Sequence, residues 1–152
     1  MHKVMRNSDP RKQKGAAAIE FALVFVIFFA VFYALVSYCL PLLMLQSFNA
    51  AASEAVRRSV ALSPSIANYN TLIISQAKGV LSQQLNWMPA ALALDTAQYS
   101  TVTYTAGVLK VRIDYPKENL NRVLPVLSLP VIGEVPRLPS HLSAEASLQL
   151  VP

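Results

Sequence analysis

The sequence predicts an α+β protein: a long N-terminal transmembrane and amphipathic helix, a second helix, and a small antiparallel β-sheet. Three observations carry this expectation. From Phe21 through Ser53 no charged residue occurs. Between Pro41 and Leu85 apolar residues recur at spacings of three and four, the period of a helix that buries one face. From Gln98 onward the period drops to two, as in strands with one covered face.

The N-terminal segment through Lys14 is polar and basic, and Asn7, Ser8, Asp9 and Pro10 break it, so it reads as disordered. Lys3, Arg6, Arg11, Lys12 and Lys14 against Asp9 give this segment +4 of the whole chain's +5. Basic residues flanking a span stay on the cytoplasmic side, which sets the expected orientation: N-terminus in the cytoplasm, residues 49–152 outside the inner membrane. A cleaved secretory signal would place its small residue after a short apolar run. Here Gly15 precedes the run, and the run is longer than a signal needs.

One long helix is expected from about Ala16 to about Leu62. Phe21 to Leu40 alone supplies the ~20 helical residues that a bilayer core takes. Tyr33 and Tyr38 suit the interface, where amphipathic rings settle. Pro41 removes a backbone donor and is expected to kink the helix near the outer boundary. Beyond it, Leu45, Phe48, Ala52, Val56 and Val60 form an apolar stripe, and Ser63-Pro64 stops the helix. A second helix is expected from about Ile66 to about Leu85, with Tyr69, Leu72, Ile73, Gln76, Ala77, Val80 and Leu81 on its period and Asn68 or Ser65 as cap. Trp87-Met88-Pro89 ends it.

Two β-rich runs, 98–104 and 109–115, flank Ala106-Gly107 and read as an antiparallel hairpin. Leu109, Val111, Ile113 and Tyr115 form the apolar side of its second strand. Ala144, Ala146, Leu148 and Leu150 predict a third strand. The intervening 116–140 holds Pro116, Pro125, Pro130, Pro136 and Pro139, so regular structure is expected only as a turn of helix near Glu118 to Leu124. This segment is also apolar, through Leu120, Val123, Leu124, Val126, Leu127, Leu129, Val131 and Ile132. It either covers the core or presents a partner-binding surface. The chain thus divides at 1–15, 16–63 and 64–152.

At 54% hydrophobic and 14% charged, the chain is far from the ~25% charged residues of a soluble domain. Downstream of Gly15 the charge is nearly balanced, and no basic stripe interleaved with aromatics suggests nucleic acid. Cys39 stands alone, which excludes an internal disulfide; it reads as a packing or membrane-facing residue, with a reactive or lipidated thiol as the alternative. His2 and His141 are isolated, and four glycines offer no phosphate-cradling loop. No catalytic residues, metal ligands, cofactor or small-molecule substrate are expected, and no enzyme. Glu20 is the exception in the apolar run. A carboxylate there is costly and needs a partner, which makes it a functional-site candidate.

Gly15-Ala16-Ala17-Ala18-Ile19-Glu20-Phe21 resembles the prepilin motif of the type IVb pilin group. More closely, with AAAIEFALVFV and the stretch NAAASEAVRRSV from Asn49 to Val60, it is similar to the TadE-like pseudopilins of tight-adherence (Flp-type) pilus systems. The resemblance implies a pilin-like fold and a minor pilin acting in pilus biogenesis or assembly. Residues 1–15 would be a cytoplasmic prepilin leader, cut after Gly15 by a membrane-embedded prepilin peptidase, with Ala16 as the new N-terminus. Glu20, beside Phe21, would serve recognition or assembly. Residues 64–152 would form a periplasmic α+β domain of a single-pass protein of the bacterial inner membrane. Implied partners are the prepilin peptidase, other pilins or pseudopilins, the assembly machinery and inner-membrane lipid. Two departures from many type IV pilins are the Ala after the cut, where an aromatic is common, and the absence of a C-terminal cysteine pair. Both fit the pseudopilin group. The competing reading is an unprocessed signal-anchored envelope protein whose outer domain binds a partner.

Overall fold

The computed structural model describes residues 11–129 and 133–150. Residues 1–10, Pro130, Val131 and Ile132 of the proline-rich segment, and Val151 and Pro152 lie outside the described residues. The chain packs as two units, Met1–Val36 and Ser37–Pro152.

Helix α1 runs from Arg11 to Ser59. Its start corrects the expectation of disorder up to Lys14. Arg, Lys and Gln are good helix formers, and once the apolar run is helical, adding a turn at its end needs no new nucleus. In the first unit the side chains from Gly15 to Phe32 are exposed, and rings climb the helix: Phe21 and Phe25 have centroids 5.9 Å apart, Phe25 and Phe29 4.8 Å. This is the one helix among the described residues long and apolar enough to cross a membrane. It continues through Pro41.

In the second unit α1 buries Met44, Phe48, Ala51, Ala52, Ala55, Val56 and Ser59. The expected stripe is therefore offset: Leu45 is half-buried and Val60, past the helix end, is exposed. The buried alanines give the reason. A face lined by Ala admits close backbone approach, and alanines carry little weight in an apolar pattern. Ser59 satisfies itself there by donating its hydroxyl to the Ala55 carbonyl at 2.7 Å.

Helix α2, Tyr69–Leu85, buries Ile73, Ala77, Val80, Leu81 and Leu85. Leu72 and Gln76, expected on that face, are exposed. Asn68 does occupy the cap position, but with φ of 64° and no side-chain capping bond; its backbone carbonyl accepts from Thr71 and Leu72 instead. A 3₁₀ turn, Ala90–Leu92, and a one-turn helix α3, Thr96–Tyr99, follow. The Asp95 side chain caps α3 through the Ala97 amide at 2.8 Å.

Strand β1, Ser100–Thr105, turns through Ala106-Gly107 into β2, Val108–Pro116. Both turn residues have positive φ, 50° and 78°, as a two-residue hairpin loop of the I′ kind requires. After α4, Lys117–Leu120, the proline-rich segment forms a hairpin of β3, Leu127–Leu129, and β4, Gly133–Val135. This second hairpin corrects the expectation that the segment is irregular past its helical turn. Its prolines, Pro125 and Pro136, flank the paired strands, where no ladder donor is lost. Strand β5, His141–Gln149, returns antiparallel to β2, giving the order β1-β2-β5.

Central β2 supplies Leu109, Val111, Ile113 and Tyr115 to the core, as its period requires, and β5 adds Leu142 and Ala144. They join the buried faces of α1 and α2 in one cluster. Leu120 also joins it, at 1% exposure, whereas Val123, Val126 and Leu127 stay on the surface. The core-covering reading of the proline-rich segment thus holds for Leu120.

Candidate functional site at the start of the apolar helix

Gly15, Ala16, Glu20 and Phe21 all lie on α1, within its first three turns. The backbone sets their arrangement. At 3.6 residues and 5.4 Å per turn, Ala16 and Glu20 share a face about 6 Å apart along the axis. Gly15 precedes that face, and Phe21 is turned from Glu20 by about 100°.

Each of the four is exposed, Phe21 to 70%. A Cβ added at Gly15 would meet nothing within 4 Å, so nothing in the fold demands glycine there. Glycine costs a helix about 1 kcal/mol relative to alanine, so the turn at Gly15 opens more easily than an alanine turn would. Glu20 makes no ion pair with any described residue. The structure brings Ala16 and Glu20 together and leaves Phe21 to the phenylalanine ladder below it.

Elsewhere the surface chemistry is self-contained. Glu54 accepts from Arg57 at 2.7 and 2.8 Å and from Arg58 at 2.6 Å, and these hydrogen bonds, Arg57 first, hold its pKa down at about 2. On the outer face of the sheet Lys110 pairs with Glu145 at 2.7 Å, and Ser143 donates to Asp114 at 3.1 Å. Tyr115 donates its buried hydroxyl to the Leu92 carbonyl, and burial pushes its pKa up. No cluster of His, Cys, Asp or Glu with the makings of a metal site occurs among the described residues. A hollow of about 460 Å³ beside the 3₁₀ turn is lined mostly by apolar groups, and its one carboxylate, Asp95, is committed to capping α3.

One contact had no sequence signal. The Tyr38 hydroxyl accepts from the backbone N–H of Arg137 at 2.8 Å. Reading Tyr38 as an interface residue gives no hint of a partner 99 positions away, because local periodicity carries no long-range pairing.

Residues 15–57 match the family model of TadE-like proteins. Neither a curated protein nor a solved structure matches the chain significantly.

Proposed function

We propose that this chain, TadE-like over residues 15–57, is a minor pilin of a tight-adherence pilus system: a membrane-anchored, non-catalytic component that acts in pilus biogenesis or assembly. The observation that carries the reading is the motif from Gly15 to Phe21, exposed at the head of the one membrane-length helix among the described residues and coincident with the start of the family match.

The parts then take these roles. Residues 1–15 are a cytoplasmic leader, and a prepilin peptidase cuts after Gly15. A peptidase needs extended backbone, and the glycine lowers the cost of unwinding the turn that holds the scissile bond. Cleavage creates a positive α-amino group on Ala16, about one turn from Glu20. An ion pair between them, within one chain or between neighbouring subunits, relieves a carboxylate at the membrane boundary; desolvation offsets part of the gain. Residues 16–63 anchor the chain and carry the amphipathic face, and the α+β domain, 64–152, stands in the periplasm, where it meets other pilins and the assembly machinery. The test is genetic: in a piliated host, deletion should abolish or sharply reduce tight-adherence pili, and the wild-type chain should restore them. Unchanged piliation in the deletion strain would refute the assignment.

A further inference from the structure

We propose that copies of this chain contact one another head to tail, with Trp87 of one copy seated in the hollow at the far end of α2 in the next. All the residues concerned belong to the Ser37–Pro152 unit, and the contact does not rest on the pilin reading.

Both halves of the contact are open to solvent. Trp87, the chain's single tryptophan, lies two residues beyond the end of α2 and is 56% exposed. A large aromatic ring of this kind anchors interfaces when a neighbour covers it. At the other end of the helix is a hollow of about 270 Å³. Val60 and Leu62, from the connection after α1, line it together with Tyr69 of the first turn of α2 and with Leu148, Gln149 and Leu150 at the end of β5. A cavity of about 150 Å³ holds a benzene ring, so this one has room for the two fused rings of an indole. The Gln149 amide in its wall offers the acceptor that an indole N–H needs on leaving water.

The occupant follows from where ring and hollow lie. A helix of 17 residues is about 26 Å long, so Trp87 cannot reach the hollow of its own chain. That length is also about the width of a domain of this size, whose radius of gyration is about 13 Å. Charge points the same way. Residues 79–94 around the ring, and 59–77 and 146–150 at the hollow, include no charged side chain. Neither surface selects a charged partner, and no like charges oppose each other when two copies meet there. The chain itself carries the neutral apolar knob and the neutral apolar hole. Because the two patches differ, the contact is heterologous: each pairing leaves one ring and one hollow free, and copies add in a row unless the row closes. A buried tryptophan contributes ~150–250 Å², well under the ~800 Å² per partner of a stable interface. The contact therefore forms at high protein concentration, or where another contact already holds copies together.

The test uses the full chain in maltoside detergent, with Trp87 as its own reporter. As concentration rises, sedimentation should show growing assemblies, the tryptophan emission should shift to the blue, and its quenching by iodide should fall several-fold. Trp87→Ser keeps the hollow and loses the ring. Val60→Glu keeps the ring and places a charge in the hollow, at a residue already 46% exposed. Neither variant alone should assemble. Mixed, they should form one-to-one pairs that do not grow, and the emission of Val60→Glu should turn blue only when the tryptophan-free chain is added. Thermal melts check that both variants fold, and Leu148→Glu, at another exposed wall of the hollow, replaces Val60→Glu if that variant does not. Assembly that persists in Trp87→Ser or with a charged hollow would overturn the proposal, because another surface then holds the copies. So would a wild-type chain that stays monomeric at every concentration. An emission already blue in dilute wild type and in Val60→Glu would place the ring in detergent, which also overturns it. Pili are not read in this experiment, so its failure leaves the pilin reading standing.

Discussion

Two carboxylates on one helix illustrate how environment decides role. Glu54 lies between Arg57 and Arg58, bonded to both, and its pKa falls from 4.5 to about 2. A folded-state pKa below the unfolded value stabilises above the ordinary carboxylate range, and that stability is lost as pH falls toward the folded value. Amides in the last turn of α1 should therefore exchange faster as pH drops from about 4.5 toward 2, after correction for intrinsic rates, and Glu54→Gln should remove the dependence. Glu20 has no ion-pair partner among the described residues and sits where a charge is expensive. If it pairs with the Ala16 amine after processing, Glu20→Ala should insert as well as wild type yet lower the yield of pili. Undiminished pili in that variant would remove the pairing and leave the rest of the account intact.

At the scale of elements, the lower half of α1 is bound to the sheet through Phe48, fully buried with its ring centroid 6.0 Å from that of Tyr115. Phe48→Ala should cost about 3–5 kcal/mol, the usual range for emptying a buried phenylalanine site, measured by denaturant unfolding in detergent. A loss under 1 kcal/mol would mean that the core closes over the gap. Periodicity made this architecture legible: β2 alternates over its whole length, and all four of its expected core residues are buried. It failed where side chains are small or elements short. The Ala51, Ala52 and Ala55 face of α1 has little apolar weight, and three-residue strands such as β3 and β4 are too short to show a period. Asp95 before Thr96 is a capping signal that reveals α3 only when a single turn is looked for. At the candidate site the residues rest on the motif alone, and the exposure of Glu20 and the tie between Tyr38 and Arg137 had no signal in the sequence, because both depend on what the rest of the chain does or does not bring near.

For the whole molecule, the proposed orientation, N-terminus in the cytoplasm, rests on charge asymmetry: +4 before Gly15, near balance after it. Reporter fusions after Pro152 should be active only as periplasmic reporters; a cytoplasmic signal would invert the topology. On that orientation the Gly15–Ala16 bond faces the cytoplasmic edge of the membrane, and the central claim is that it is cut. Intact mass and N-terminal sequence of the chain, purified from cells with and without a working prepilin peptidase, test this most directly. A mature chain beginning at Ala16 is expected in the first case, and full-length precursor in the second and in Gly15→Val, where a branched side chain obstructs close approach of the protease. A wild-type chain that keeps Met1 through Gly15 in cells with an active peptidase would contradict it.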